Sequence, residues 1–208
     1  MSAPSEVLAA PAPEEDTDEA LMLSYAAGRA AAFDTLYARH KRGVYRYLLR
    51  HCGNAGTSDE LFQDVWMNAI RARERYAPTA KFTTWLYTIA RHRLIDHWRS
   101  KGHAQLTSID DEGDGEESSR SVAKTLQAQD ADPQAHLAAG QLGDRLRTAL
   151  ATLPAVQRDA FLLQQEGGLS HAEISELTGV GLETVKSRLR YAIGKLRQEL
   201  SSLREEFR

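Results

Sequence analysis

The sequence predicts an all-α protein: two small helical domains joined by a flexible acidic linker, the C-terminal one containing a helix-turn-helix. Three observations predict it. Apolar residues recur at three- and four-residue spacing from Asp18 to about Arg99 and again from about Leu137, with no alternating strand pattern anywhere. The stretch 101–136 between them is polar and acidic, with SIDDEGDGEESSR at its centre. Ser170 with Glu173 three residues later forms a capping box, and Gly179 and Gly181 supply a helix end and a short turn before a second amphipathic run. The expected domains are therefore 1–17 (disordered, acidic), 18–100 (first helical domain), 101–136 (linker) and 137–208 (second helical domain).

Each element follows from local pattern. Residues 1–17 are rich in Ala, Pro and Glu and carry no periodicity, so no helix is assigned there. Leu36, Val44, Tyr47 and Leu48 form the apolar face of a helix from about Ala31 to His51. Leu61, Val65 and Ala69, with Phe62 and Trp66 beside them, mark the next helix, with Ser58 as its expected N-cap. Thr83 or Thr84 is expected to open a third, TTWLYTIARHRLIDHWRS. Its apolar surface is too wide for one stripe: Phe82, Trp85, Leu86 and Ile89 share a side, while Tyr87, Leu94 and Trp98 lie elsewhere. Two readings stay open for it. Either it is a central core helix, or its aromatics form a stacking platform for unpaired bases, with Lys81, Arg91, Arg93, Arg99 and Lys101 holding the backbone. Beyond the linker, Pro154 stands at a helix start after Leu153.

Two helices carry candidate binding faces. From about Leu182, the residues Leu182, Val185, Leu189, Ala192, Ile193 and Leu196 fall on one side of a helix. Glu183, Thr184, Ser187, Arg190, Tyr191 and Gly194 fall opposite, between Lys186, Arg188, Lys195 and Arg197. Hydrogen-bonding tips between cationic shoulders suit a DNA groove, where bases are read between two phosphate walls. A basic helix alone also fits a solvated surface; the capped, short-turned helix before it selects DNA binding. The earlier helix at 58–73 has the opposite chemistry. Asp59, Glu60, Gln63, Asp64 and Asn68 make a polar, acidic side next to Trp66 and Met67. The helix dipole accounts for acids in the first turn. Large apolar groups beside them point to a protein-binding surface.

Charge segregation agrees with a DNA partner despite a net charge of -3. Residues 1–20 hold six acids and no Lys or Arg, and residues 110–132 hold eight acids against Arg120 and Lys124. Residues 29–51 hold six bases against Asp34, and Lys186 to Arg197 contributes five more with no acid. Domain-level charge, which governs partners, is therefore basic on two surfaces. No run of about 18 apolar residues spans a membrane. The N-terminus lacks the basic and apolar regions of a secretory signal. The single cysteine, Cys52, excludes an internal disulfide and suits a reducing, cytoplasmic setting, where it reads as a small buried hydrophobe. A metalloenzyme built on His92, Asp96, His97 and His103 lacks a complete ligand set. No metal, cofactor or catalytic residue is expected.

Three segments, in order, resemble the extracytoplasmic-function (ECF) group of bacterial RNA polymerase sigma factors. DELFQDVWMNAIRA is similar to the family's core-polymerase-binding helix. FTTWLYTIARHRLIDHWR is similar to its promoter-melting and −10-reading helix, and LPAVQRDAFLLQQEGGLSHAEISELTGVGLETVKSRL to its −35-reading domain. The match covers about residues 20–100 and 137–200, with the acidic linker where larger members carry another domain. The resemblance implies a dissociable initiation subunit without covalent chemistry of its own. Its implied partners are core RNA polymerase, through the clamp helices of the largest subunit and the β-subunit flap, promoter DNA and a cognate anti-sigma factor. It places Asp59, Gln63, Asp64 and Met67 against the clamp helices, and Lys81, Trp85, His92, Arg93 and His97 near the −10 strand. Thr184, Lys186, Ser187, Arg188, Arg190 and Tyr191 fall in or beside the −35 major groove. His92 stands where the family often has Asn, and Ser175 where it commonly has Ala. The rival is a helix-turn-helix regulator that binds duplex DNA without polymerase; it accounts for the C-terminal domain and leaves the acidic helix unexplained.

Overall fold

Thr17 opens the first helix by accepting the Ala20 N–H on its hydroxyl at 3.2 Å. The structure, a computed structural model, describes residues 17–101, 143 and 145–206, with side chains as far as 201. The segment 1–17 was expected to be disordered; Thr17 instead caps α1, while residues 1–16 and the linker beyond Lys101 lie outside the described residues. Helices α1 (Asp18–Ala26), α2 (Ala30–Cys52), α3 (Ala55–Ala72) and α4 (Phe82–Ser100) form the first group, with a 3₁₀ turn at Arg73–Arg75. A helical segment over 145–151 precedes α5 (Ala155–Gly167), α6 (His171–Thr178) and α7 (Leu182–Glu206). Among the described residues there is no strand.

Two helix starts differ from expectation. Asn54, not Ser58, caps α3, its side chain accepting the Thr57 N–H at 3.0 Å. Gly53 ends α2 with φ 64°, so the extended cap position falls on the very next residue. Ser58 sits one turn inside, buried, donating its hydroxyl to the Asn54 carbonyl at 2.6 Å. The α4 helix begins at Phe82, ahead of both threonines, and Lys81 supplies no side-chain cap. Its first N–H is instead donated to the Glu19 carboxylate of α1 at 2.6 Å. An acid at a helix N-terminus also favours the dipole.

Leu21, Met22, Leu36, Val44, Leu48, Leu61, Val65, Leu86, Ala90 and Leu94 fill the core of the first group. Phe82, Tyr87 and Trp98 are buried with them, which settles the excess apolar width of α4. It is the central helix, packed by α1, α2 and α3 and, from the other direction, by α5 and α6. The four-ring stacking platform is therefore corrected: only Trp85 remains partly open, edge-on to Tyr76 at 5.1 Å and tilted on Phe82 at 5.7 Å. Arg91 is withdrawn as well, at 3 % exposure.

The second group packs Leu150, Leu153, Leu162, Leu163, Leu169 and Ile174 against Val185, Leu189, Ala192 and Leu196 of α7. Leu182 and Ile193, expected on the apolar side, stand 41 % and 39 % exposed. Leu182 is the first residue of its helix, and Ile193 lies next to the buried Ala192, at the stripe's edge. The two groups also pack on each other: α5 lies across α2 and touches α4, and α6 reaches α4.

Candidate nucleic-acid interface

The helix-turn-helix is held by the chemistry its sequence spells out. Ser170 accepts the Glu173 N–H at 3.3 Å, and its own N–H is donated to the Glu173 carboxylate at 2.8 Å. Gly179 adopts φ 73° and closes α6 onto the Ser175 carbonyl at 3.0 Å. A β-carbon is strained in that conformation, so glycine suits it. Ser175 donates its hydroxyl to the Val180 carbonyl at 2.6 Å, tying the turn that leads into α7.

On α7, Thr184, Lys186, Arg190 and Tyr191 are exposed together, with Ser187 half-buried beside them. Arg190 lies over the Tyr191 ring, 5.5 Å from its centroid, and Tyr191 is 59 % exposed. Lys186 pairs with Glu183 at 2.7 Å, and that lysine holds the Glu183 carboxyl below its ordinary range. Arg188 separates from this set. It is half-buried toward the first domain, where burial pulls its pKa down against the opposing field of Asp159.

Along α4, Lys81, Trp85 and His92 share one stripe at about 100° per residue. His92 is exposed and Trp85 half-buried. The Lys81 ammonium lies 3.3 Å from the Glu173 carboxylate of α6. Arg93 and His97 are rotated away, and Arg93 is bound to Asp96 at 2.5 Å. The Glu173 carboxyl would be pushed up by burial, but the Ser170 hydroxyl and amide, then Lys81 and Thr84, outweigh this and bring it down to about 2.

Asp59, Gln63, Asp64 and Met67 all stand exposed on α3, Met67 at 46 %. Trp66 is buried and does not belong to that surface. Beside it, Lys41, Arg42, Tyr45, Arg46, Asp59 and Phe62 line an open hollow of about 480 Å³. Tyr45 stacks edge-on against Phe62 at 5.6 Å. Two carboxylates escaped the sequence reading, Asp159 and Glu166, and a third, Glu173, was legible only as a capping acid; all three engage the first domain. Asp159 and Glu166 carried no local signal beyond being acids seven apart on a helix. Among the described residues no group of acids, histidines or cysteines could hold a metal ion, and no helix is long and apolar enough to cross a membrane.

The Sigma-70 region 2 family matches residues 36–104, and the Sigma-70, region 4 family matches residues 143–196. The chain is 32% identical over 182 residues to the ECF RNA polymerase sigma factor SigL of Mycobacterium tuberculosis, covering 86% of this chain and 94% of SigL. It is 30% identical over 170 residues to the ECF RNA polymerase sigma factor SigE of Mycolicibacterium smegmatis, covering 82% of this chain but 62% of that protein's length. The fold is shared with the sigma factor RpoE of Bartonella quintana, solved with the anti-sigma factor NepR. The TM-score is 0.59 at 22% identity, over 81% of this chain and 96% of that one. The two family matches in order, and relatives that align over most of both chains, place this protein in the ECF group of RNA polymerase sigma factors.

Proposed function

We propose that the chain is a dissociable initiation subunit that binds core RNA polymerase and directs it to promoters through two DNA elements. The observation that carries this reading is the presence on one chain of two unlike exposed faces. One is the cationic, hydrogen-bonding outer side of α7, with Lys186, Arg190 and Tyr191. The other is the acidic side of α3, with Asp59, Gln63, Asp64 and Met67. A helix-turn-helix regulator needs the first and has no use for the second.

In this reading α3 engages the clamp helices of the largest polymerase subunit, and the C-terminal domain meets the β-subunit flap. Lys81, Trp85, His92, Arg93 and His97 serve the −10 strand. Extruding bases there costs a few kcal/mol each, least at flexible steps, and the Trp85 face offsets part of it. Thr184, Lys186, Ser187, Arg190 and Tyr191 serve the −35 groove, and Arg188 joins them once it leaves the domain interface. The first domain spans 18–100 and the second 137–208. The protein performs no covalent chemistry and works in the cytoplasm, where its polymerase and DNA are. An anti-sigma factor as a further partner is supported by the RpoE–NepR complex, whose sigma factor shares this fold.

The test is transcription by core polymerase with this chain alone on a matched promoter. Asp64→Arg is expected to abolish assembly with core while leaving melting temperature and −35 duplex binding unchanged, because Asp64 is exposed. Full transcription by Asp64→Arg overturns the α3 contact; DNA binding without any transcription favours the simple regulator.

A further inference from the structure

The basic run over 29–51 is only partly accounted for by contacts within the fold. Arg39 pairs with Asp18 at 2.7 Å, and Arg46 and Arg50 pair with Glu166. Lys41 and Arg42 stand exposed, and no carboxylate among the described residues pairs with either. Lys41 lies over the Tyr37 ring, 5.5 Å from its centroid. Both cations border the hollow of about 480 Å³ between α2 and α3, and Tyr45 and Phe62, each half-buried, supply its apolar part. Asp59 is the one acid of the lining, and it sits against Tyr45: burial, then that carboxylate, pushes the Tyr45 phenol up. Two cations without acids beside an apolar hollow suit an acidic peptide that carries an apolar residue.

Such a peptide enters the fold at this place. Residues 1–16 carry Glu6, Glu14, Glu15 and Asp16 and no Lys or Arg, with Val7 and Leu8 next to Glu6. They lead into Thr17, the N-cap of α1, and Asp18 is fastened to α2 by Arg39 at 2.7 Å and by His40 Nε2 at 2.6 Å. Arg39, Arg42 and Arg46 follow one another along one side of α2 at three- and four-residue spacing, so the hollow begins one turn from the tether. Leu8, nine residues before Thr17, can reach about 30 Å in extended chain. The helix rises only about 10 Å from Arg39 to Arg46. The other acidic segment, 110–132, departs from a different side. It follows Lys101 at the end of α4, where Trp98 packs on His51 at 5.6 Å, and His51 lies opposite Arg42 around α2.

We propose that the hollow between α2 and α3 is a docking site for residues 1–16 of the same chain, with their acids on Lys41 and Arg42 and with Val7 and Leu8 against Tyr45 and Phe62. A segment this polar builds no core of its own, yet it can order on a surface of opposite charge. Asp59 belongs both to the hollow and to the α3 face proposed for core polymerase. The docked segment therefore screens that face, and core polymerase displaces it on binding; this second half rests on the proposed function.

The test is zero-length carbodiimide coupling of the full chain at low salt, mapped by peptide mass spectrometry, since the reagent joins an ammonium to a carboxylate only where they touch. Glu6 is the informative acid: it stands eleven residues before Thr17, so tethering alone does not hold it at any one lysine. Within single chains, Glu6 is expected to couple to Lys41 at least about fivefold more than to Lys81, Lys101, Lys124, Lys186 or Lys195. Val7→Ser with Leu8→Ser leaves every charge in place and is expected to remove that preference. Even coupling of Glu6 over the six lysines, coupling of Lys41 to 110–132 instead, or coupling only between two chains overturns the docking, and so does an undiminished preference in the serine variant. Neutralising the segment by Glu6→Gln, Glu14→Gln, Glu15→Gln and Asp16→Asn is expected to tighten binding to core polymerase about tenfold, as for a face uncovered in about one molecule in ten before the change. Unchanged core affinity alongside the expected coupling overturns the screening. The expected coupling in a chain that never binds core polymerase leaves the docking standing and sinks the proposed function.

Discussion

Truncating Asp159 to alanine removes a buried carboxylate that accepts the Tyr47 hydroxyl at 2.8 Å and Arg91 Nε at 2.9 Å, and strands both donors. The Arg91 side chain is 4% exposed and the Asp159 side chain 3%, so neither charge has water to fall back on. Breaking a buried pair by deleting one partner costs about 3–5 kcal/mol, and the orphaned Tyr47 hydroxyl adds about 1 kcal/mol more. Were the interface to stay shut, the loss would be about 5 kcal/mol, or roughly 10–20 °C of melting temperature for a chain of this size. The chain has a cheaper course, because parting the domains lets water reach Arg91 and Tyr47. The measured loss is then capped by the free energy with which the two domains pack, and the damage appears as separation rather than global unfolding. Calorimetry with amide hydrogen exchange checks this: one transition is expected to become two, and α5 to lose protection while the Leu61, Val65 and Leu86 core keeps it. Asp159→Asn keeps one acceptor oxygen without the charge, so it is expected to fall between wild type and alanine. Unchanged melting and unchanged α5 protection in Asp159→Ala would refute the assignment of Asp159 as the centre of the interface.

Trp85 is half-buried against Tyr76 and Phe82, so Trp85→Ala is expected to cost about 2–3 kcal/mol at about 25 cal/mol per Å2 of lost burial plus two ring contacts. Trp85→Phe keeps most of that packing; it is expected to melt near wild type and assemble with core, yet to lower permanganate reactivity of unpaired promoter thymines, and normal reactivity would confine the indole to packing. Acidification is expected to part the two domains where α5 packs on α2 and α4, so that the packed form is the closed one and the parted form the open one. Burial holds His51 below its ordinary range, with Asp159 opposing and Arg158 and Arg91 reinforcing; the Tyr47 and Trp98 rings also pack on it. With α5 withdrawn, Asp159 and Arg158 leave the ring and its pKa returns toward about 6.5, so the open form gains a proton as pH falls through that value and the closed form does not. Asp159 adds to this in more acid solution: burial pushes its carboxyl up, but His51 and Arg91 outweigh it and hold the group well below the carboxylate range. The distance between spin labels at Arg71→Cys on α3 and Gln198→Cys on α7, in a Cys52→Ser background, should broaden between about pH 7.5 and about pH 5.5, and His51→Phe should remove that dependence; distances indifferent to pH without the His51 change would exclude His51 as the responsive group.

Contacts spanning three or four residues are written into the chain, and so are the features built from them. The capping box at Ser170 and Glu173, the end of α6 at Gly179, the apolar stripe of Val185, Leu189, Ala192 and Leu196, and the exposed acids of α3 all follow from such spacing. Where two candidates had equal local chemistry, the pattern was insufficient: Ser58 and Asn54 are both good caps, and the end of α2 at Gly53 chose between them. The apolar excess of α4 was visible, but whether Phe82, Tyr87 and Trp98 met core or nucleic acid depended on what packed against each side. That was decided by helices from both domains. Glu19 capping α4 from 63 residues away, and Arg91 buried on Asp159 from 68 residues away, have no local signature. A charge reads as surface in a sequence because isolated burial is so costly. Only the folded chain supplies the partner that makes burial possible, and with it the interface that joins the two domains.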